Sequence, residues 1–377
     1  MKVYQVFVDR FSTADTRRDY ALGNTTGRRW LGGNLKGITN KLQYIRDLGF
    51  DAIWLTPIFS TLDYHGYSTL DFCSVDRHFG SNDTLKRLVF TAHKKGIKVL
   101  LDFVANHVSS KHKYFLSALN NKNSHYRKWF VFSGRNTYLR FVDVDTLPKL
   151  NTDNQDVINY LIDAALYWIR EADIDGFRLD HAVGPSMRFW REFTRACTSY
   201  KKDFIFLPEI WLSGIDPKYT DTLWFAEDAA TREKLRSILA KNRGKTWDEQ
   251  DDSKAEELAM NVFRKFFKTP LNFSANLKLR RGRLKEIKAD DSFVFADNHD
   301  MQRLSWIKRN DPMTVNKILK KVIDSKNSVI YYGSEINMGQ KKDFSRLASF
   351  KDTECRRFMD WRKVNRKTVS DFKALSG

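Results

Sequence analysis

Hydrophobic and polar positions follow two different rhythms along the chain. Over Leu35–Leu48 the apolar residues recur in steps of three and four, which predicts an amphipathic helix. The run KVLLDFV at 98–104 is instead almost continuously apolar, as is typical of a parallel strand that is buried on both faces. The chain therefore combines helices with one polar face and strands with none.

This strand–helix unit repeats along the chain. Strands are predicted at Val3–Val8, Ala52–Leu55, Lys98–Val104, Gly176–Leu179, Phe204–Leu207, Phe293–Ala296 and Ser328–Tyr332, and helices at Leu35–Leu48, Thr84–His93, Gln155–Glu171 and Ser186–Tyr200. The repetition indicates an α/β protein with a parallel sheet, and 377 residues suit a closed (β/α)8 barrel with insertions. A further strand is expected near Thr222–Phe225 or near Asn272, and Lys241–Glu257 is expected to be an exposed insertion.

Composition narrows the class of protein. Hydrophobic residues make up 42% of the chain, which excludes a mainly disordered protein. The net charge of +19 would suit an anionic partner. However, the basic residues are dispersed and no nucleic-acid-binding motif occurs, so we expect a solvated basic surface and no specific nucleic acid. Three widely spaced cysteines exclude a disulfide scaffold or a zinc ribbon.

The chain carries no recognisable targeting or membrane segment. Its start, MKVYQVFVDRF, has an apolar stretch too short for a secretory signal, which needs about 7–15 apolar residues. No window approaches the roughly 20 apolar residues of a membrane span. We therefore expect a cytoplasmic protein without a membrane partner.

Polar side chains follow four of the predicted strands. The ends of these strands carry Asp102 with Asn106 and His107, Arg178 with Asp180, Glu209, and His299 with Asp300. Because the carboxyl ends of parallel strands face the mouth of a barrel, we expect these groups to meet at one active site.

These residue types suit glycoside hydrolysis with retention, which needs a carboxylate nucleophile and a carboxylic acid as proton donor. Asp180 is the predicted nucleophile, and Arg178, on the same face of its strand, is expected to lower the pKa of Asp180. Apolar neighbours are expected to raise the pKa of Glu209, the predicted acid. Asp300 would bind sugar hydroxyls and stabilise the transition state.

A series of motifs spans nearly the whole chain in a fixed order: GGNLKGITNKLQYIRDLGFDAIWLTPIF at 32–59, YHGYSTLDF at 64–72, DFVANH at 102–107, LPKLN at 147–151, GFRLD at 176–180, PEIW at 208–211, FADNHD at 295–300 and YYGSEI at 331–336. This series resembles the signatures of the α-amylase family of glycoside hydrolases. The resemblance implies a (β/α)8 TIM barrel with a small domain B inserted after the third strand. It also implies retaining action on α-glucosidic bonds, with Asp180 as nucleophile, Glu209 as acid/base and Asp300 as transition-state stabiliser.

The same matching implies a substrate-binding set. Tyr67 would stack under the sugar, and Asp102 would support Arg178. His65, His107, Arg178 and His299 would line the same subsite. In domain terms, residues 1–106 and 151–377 would form the catalytic barrel, and residues 107–150 would form domain B. We expect no C-terminal β-sandwich, since 44 residues follow Gly333.

Two departures from the family pattern bear on cofactor and substrate. Asn106 matches a calcium-ligand position, but Gly184 stands where calcium-dependent members carry a His ligand. No metal ligand is therefore predicted, and calcium near Asn106 stays an open alternative. LPKLN, with Lys149, is closer to the neopullulanase and maltogenic-amylase branch.

The function expected from these observations is hydrolysis of α-1,4-glucosidic bonds in starch, glycogen or maltooligosaccharides. Cyclomaltodextrinase, maltogenic amylase, α-1,6-glucosidase and 4-α-glucanotransferase activities remain alternatives within the family. A non-catalytic carbohydrate-binding barrel ranks lower, because all three catalytic carboxylates are present. The sequence leaves the oligomeric state open.

Overall fold

A computed structural model describes residues 1–142, 144–212, 215–241, 253–267, 269–287, 291–343 and 352–375. The strands are β1 (Lys2–Val6), β2 (Ala52–Leu55), β3 (Phe59–Thr61), β4 (Thr69–Val75), β5 (Lys98–Phe103), β6 (Gly176–Leu179), β7 (Ile205–Pro208), β8 (Val294–Phe295) and β9 (Ser328–Tyr331). The helices are α1 (Val8–Phe11), α2 (Thr16–Leu22), α3 (Leu35–Asp47), α4 (Asn82–Lys94), α5 (Lys113–Asn120), α6 (Gln155–Ala172), α7 (Met187–Tyr200), α8 (Ala229–Ala240), α9 (Ser253–Phe263), α10 (Phe273–Arg280), α11 (Leu304–Ile307), α12 (Pro312–Ile323) and α13 (Arg366–Ala374).

The chain divides into two compact units. The first comprises Met1–Thr56, Asp76–Leu101 and Leu271–Gly377, and the second comprises Pro57–Val75 and Asp102–Pro270. Strand β5 passes from the first unit into the second between Leu101 and Asp102. Each unit has its own apolar interior.

The first unit is built on parallel strands in the order β5–β2–β1–β9–β8. Strands β2 and β9 are buried along their whole length, which agrees with their nearly continuous apolar sequence. Helix α3 follows β1 along the chain and begins where the Asn34 side chain accepts a hydrogen bond from the Gly37 N–H. Its buried face carries Leu35, Ile38, Leu42 and Ile45, as the spacing predicts.

The second unit contains the parallel pair β6–β7 and the antiparallel pair β3–β4. Helix α6 is capped at its start by Asn154 and at its end by Asp173, whose φ of 52° lies in the left-handed region. The segment predicted as domain B holds α5 and folds back on its own start through backbone bridges such as His107–Lys149 and Phe130–Leu150. These bridges place the LPKLN motif beside the end of β5.

The predicted elements match closely, with a few corrections. The first strand ends at Val6 and not at Val8, because the Val8 N–H bonds to the Thr56 hydroxyl at 3.1 Å and α1 begins there. Residues 222–225 form no strand: the N–H groups of Trp224 and Phe225 bond to the carbonyls of Gly184 and Val183. The alternative near Asn272 agrees with a parallel bridge between Leu271 and Phe293.

The stretch Lys241–Glu257 is predicted as an exposed insertion. Its residues 242–252 lie outside the part of the chain that the structure describes. Its last residues belong to α9, where Ala255 and Glu256 are buried and Lys254 and Glu257 are exposed, so only one face of this end is at the surface. Within the described part of the chain, no helix has the length and apolar character needed to cross a membrane.

Candidate active site

One arginine holds three carboxylates at the strand ends of the second unit. Arg178 lies in β6, and its Nη1 contacts Asp102 Oδ1 at 2.9 Å and Asp180 Oδ1 at 2.8 Å. Its Nη2 contacts Glu209 Oε1 at 2.5 Å. The side chains of Arg178 and Asp102 are 1% and 0% exposed, so these ion pairs are shielded from water. The strands thus bring four predicted site residues into one cluster, as expected.

The electrostatics of Asp180 differ from the expectation. Burial raises the pKa of Asp180 well above its ordinary value, and the nearby carboxylates of Glu209 and Asp102 raise it further. Arg178 lowers the pKa of Asp180, but its single charge is shared among three carboxylates. Arg178 therefore acts on the pKa of Asp180 in the predicted direction, but burial and the two other carboxylates outweigh it, so the pKa is raised and not low. A cluster with three carboxylates and one guanidinium favours the retention of a proton.

Tyr67 and His65 lie beside this cluster. The Tyr67 hydroxyl donates a hydrogen bond to Asp102 Oδ2 at 3.0 Å, and the Arg178 guanidinium lies 5.9 Å from the centre of the Tyr67 ring. The His65 ring stacks on Tyr67 with an interplanar angle of 28°, and His65 Nδ1 accepts the Tyr67 N–H. The aromatic pair and the carboxylate cluster therefore share hydrogen bonds, which fixes the orientation of the Tyr67 ring.

Glu209 follows β7 directly, and a neighbouring backbone group orients it. The His181 N–H donates to Glu209 Oε2 at 2.8 Å. His181 has a positive φ of 39°, which is uncommon for a residue with a β-carbon. No sequence motif predicts this contact, because the donor is a backbone N–H group, which every residue except proline has. The turn after Asp180 therefore positions the carboxylate of Glu209.

His107 is buried at the end of β5. Burial lowers the pKa of His107 to about 3, so the imidazole is neutral at physiological pH. Its ring lies 4.8 Å from the ring of Phe141, which also packs edge-on against His181. Phe141 was not predicted, since it belongs to a segment without hydrophobic rhythm. His107 is thus a neutral hydrogen-bonding group against an aromatic wall.

The residues around Asn106 do not fit a calcium ion. Asn106 Oδ1 accepts a hydrogen bond from Lys149 Nζ at 2.6 Å, so a cationic side chain takes the position beside this oxygen. A β-carbon on Gly184 would lie 2.1 Å from Asn106 Oδ1, so a ligand side chain has no room there. Calcium requires six to eight oxygen ligands, and an amine competes with it for the same oxygens.

His299 and Asp300 lie in the first unit, where they contact each other. His299 Nε2 is 3.0 Å from Asp300 Oδ2, and His299 Nδ1 is 2.7 Å from Gln5 Nε2. Since an amide nitrogen only donates, Nδ1 accepts and Nε2 carries the proton that faces Asp300. Arg356, which the sequence analysis did not select, contacts Asp300 Oδ1 at 2.6 Å. All the other predicted site residues lie in the second unit.

Comparison with known proteins agrees with the motif series. A family model described as "Alpha amylase, catalytic domain" matches residues 5–372. The intracellular maltogenic amylase of Bacillus subtilis is 34% identical over 374 residues, 96% of this chain and 58% of the relative. The cyclomaltodextrinase of Geobacillus thermopakistaniensis is 32% identical over 389 residues, 99% of this chain and 60% of the relative. The chain thus spans about three fifths of the length of these relatives.

Among solved structures, an α-amylase from Geobacillus thermoleovorans complexed with acarbose is similar, with a TM-score of 0.72 and 29% identity. The similarity covers 100% of this chain and 77% of that one. The parallel strands end in a shared carboxylate cluster. Together with the similarity to this solved structure, they assign the protein to the (β/α)8-barrel class of α/β proteins. The chain belongs to the α-amylase family of glycoside hydrolases. The predicted fold class and the predicted family are confirmed.

Proposed function

We propose that this chain is a retaining glycoside hydrolase that cleaves α-1,4-glucosidic bonds in starch, glycogen or maltooligosaccharides. The observation that carries the proposal is the contact of Arg178 with Asp102, Asp180 and Glu209 in one buried cluster. Asp180 and Glu209 flank the same guanidinium, which suits two carboxyl groups that act on one sugar from either side. Retaining enzymes need a pair of carboxyl groups about 5–5.5 Å apart.

In the first step, an Asp180 oxygen attacks C1 of the bound glucosyl unit, and the bond between C1 and the leaving oxygen breaks. Glu209 gives its proton to that oxygen, and a glycosyl ester forms on Asp180. In the second step, Glu209 takes a proton from water, whose oxygen attacks C1. The ester bond breaks, and the released sugar keeps the α configuration.

The other predicted residues have binding roles in this proposal. Tyr67 offers an aromatic face to the sugar, and Asp102 keeps Arg178 in place. Neutral His107 donates a hydrogen bond to a hydroxyl. His65 supports the Tyr67 ring, to which its own ring is stacked. The segment 107–150 would act as domain B and border the binding site, since its Phe141 packs against His107 and His181.

For Asp300, the proposed role is stabilisation of the positive charge that develops at C1, with His299 as a further hydrogen-bond donor to the sugar. Its support is the match of FADNHD to the family motif, together with the polar contacts of Asp300 to His299 and Arg356.

A second candidate is the opening of cyclodextrin rings and the release of maltose. The names of two relatives, a maltogenic amylase and a cyclomaltodextrinase, support it, as does Lys149 in the LPKLN motif. The Bacillus subtilis relative is named as an intracellular enzyme, which supports our proposal that this protein acts in the cytoplasm.

Product analysis separates these candidates. Purified protein is incubated with maltoheptaose, soluble starch, β-cyclodextrin and isomaltose, and the products are resolved by chromatography. Release of oligosaccharides from starch is expected for the first candidate, and faster ring opening of β-cyclodextrin for the second. Products longer than the substrate would identify a glucanotransferase, and cleavage of isomaltose alone would contradict α-1,4 action.

Stereochemistry and azide rescue test the mechanism. Proton NMR at early times is expected to show the α-anomer first, since two displacements restore the configuration. With an activated α-glycosyl fluoride and azide, Glu209→Ala is expected to form the α-glycosyl azide. Asp180→Ala is expected to form the β-azide by direct displacement. Early appearance of the β-anomer with the unaltered protein would overturn retention.

A further inference from the structure

Lys149 is a buried amine between two parts of the second unit. Its side chain projects from the segment 107–150, and a backbone bridge places the residue opposite His107. Lys149 Nζ donates to Asn106 Oδ1 at 2.6 Å and to the Gly184 carbonyl at 2.8 Å, and it lies 4.3 Å from the centre of the Trp224 ring. The residue is 1% exposed. One amine thus links the end of β5 to the loop that follows Asp180.

The contacts of Lys149 are those of a bound cation. Two oxygens and an aromatic face surround the amine, and each of these groups favours a positive charge. Burial lowers the pKa of Lys149 to about 7, so both protonation states occur near neutral pH. In either state the amine has enough hydrogens to donate to both oxygens. The link therefore persists on both sides of this pKa.

Asn106 transmits this contact to His107. Because Oδ1 of Asn106 accepts from Lys149, the amide can present only its Nδ2 to the other side, where His107 Nδ1 lies 3.3 Å away. An amide nitrogen donates and does not accept, so His107 Nδ1 is the acceptor and the ring proton resides on Nε2. His107 Nε2 is buried, and a backbone hydrogen bond with Tyr67 contributes to the electrostatics of His107.

We propose that the Lys149 amine takes the place of a divalent cation in this site and, through Asn106, holds His107 in the tautomer that donates from Nε2. Lys149 is thus a positioning residue for a donor to the sugar. The substrate part of this inference rests on the proposed function, whereas the cation and tautomer parts do not. Neutral imidazole carries one ring proton, so this tautomer makes Nε2–H the donor that His107 can offer.

Calcium dependence tests the first part without substrate. The midpoint of thermal unfolding of the unaltered protein is measured with EDTA and with millimolar calcium chloride. We expect the same midpoint in both, since ligand binding to the native state alone would raise it. A midpoint that rises with calcium and falls with EDTA would overturn the replacement of a cation by Lys149.

The tautomer of His107 tests the second part, also without substrate. Nitrogen-15 NMR of histidine-labelled protein distinguishes protonated from unprotonated ring nitrogens, and His107→Gln identifies the signals of His107. We expect the Nε2–H form in the unaltered protein at neutral pH. The Nδ1–H form there would overturn the proposal before any variant of Lys149 is made.

Lys149→Met then removes the amine while it keeps an unbranched side chain. We expect a mixture of His107 tautomers, since the Asn106 amide is free to rotate, and a KM for maltoheptaose raised about five-fold with a smaller change in kcat. Lys128→Met is the matched control: Lys128 lies in the same segment, is 57% exposed and pairs with Asp156. Unchanged tautomer and KM in Lys149→Met would contradict the positioning role. If no sugar is turned over, the proposed function fails while the calcium and NMR results still decide this inference.

Discussion

The Arg178 guanidinium lies 2.8 Å from the Asp180 carboxylate, yet it does not keep the pKa of that carboxylate low. The two residues stand two positions apart at the end of β6, on the same face. Asp102 and Glu209 compete for the same positive charge, and burial removes the water that would stabilise the carboxylate ion. The pair therefore lies in a cluster that favours protonation.

Asp180→Asn is expected to raise the free energy of unfolding at neutral pH while turnover falls by several orders of magnitude. The folded-state pKa of Asp180 is raised above its unfolded value. Between the pKa of Asp180 in the unfolded state and its higher pKa in the folded state, the folded state binds more protons. The free energy of unfolding therefore falls as the pH rises through this range. The asparagine mimics the protonated form, so its advantage is largest above the folded pKa and vanishes near pH 3.

Urea unfolding at several pH values measures this effect, with kcat on maltoheptaose measured alongside. Asp371→Asn serves as the control, because Asp371 is 64% exposed and pairs with Lys367 on the surface. A variant that is less stable than the unaltered protein at pH 7 would contradict the raised pKa. Near-native turnover would contradict the assignment of Asp180 as nucleophile.

Arg178→Met is expected to reduce the free energy of unfolding by about 3–5 kcal/mol, because three buried carboxylates lose their shared partner. Arg178→Lys is expected to restore little of this stability. The single ammonium group of lysine cannot replace both Nη1, which contacts Asp180, and Nη2, which contacts Glu209. Denaturant titrations give both values. Arg188→Met, which breaks an exposed pair with Glu192, is the control and should cost far less. Equal losses in the two methionine variants would contradict the central role of Arg178.

Glu209→Gln is expected to abolish the alkaline limb of the pH–rate profile for a substrate with a good leaving group. The alkaline limb reports the loss of the acid's proton, and glutamine has no proton to lose. The acidic limb, which reports ionisation of Asp180, should remain. Initial rates with an α-maltosyl fluoride between pH 4 and pH 9, roughly the range in which such groups titrate, measure both limbs. Persistence of the alkaline limb would assign the acid to another residue.

Asp300→Asn is expected to lower kcat by about 10²–10³ with a smaller effect on KM, because the carboxylate would act on charge that develops in the transition state. Kinetics with maltoheptaose measure both constants. Asp291→Asn, at a 61% exposed carboxylate that pairs with Lys326, controls for a general loss of negative charge. A variant with raised KM and unchanged kcat would give Asp300 a binding role only.

The local pattern of apolar and polar residues was enough to predict most of the secondary structure. Strands 52–55 and 176–179 begin and end where the sequence predicts, because each is a short apolar run that is bounded by polar or turn residues. Helices α4 and α7 begin one or two residues from the predicted start, at the side-chain caps Ser81 and Ser186. Residues 222–225 were the exception, because long-range contacts with Val183 and Gly184 satisfy their N–H groups.

The contacts inside the site were harder to predict. Sequence spacing places Arg178 and Asp180 on one face, but it cannot show that Asp102 and Glu209 reach the same guanidinium. The His181 N–H that holds Glu209 is a backbone group, and Lys149 contacts Asn106 across 43 positions of the chain. Such contacts depend on how strands and loops meet in space.

By itself, the sequence determined the family, the fold class and the residues that stand at the strand ends. These features follow from short apolar runs and local motifs, which depend on neighbours in the chain. Only the tertiary structure decided which charges share a partner, and so reversed the expected direction of the pKa of Asp180. It also decided that an amine, and not a metal ligand, meets Asn106, because burial and distance are properties of the folded chain.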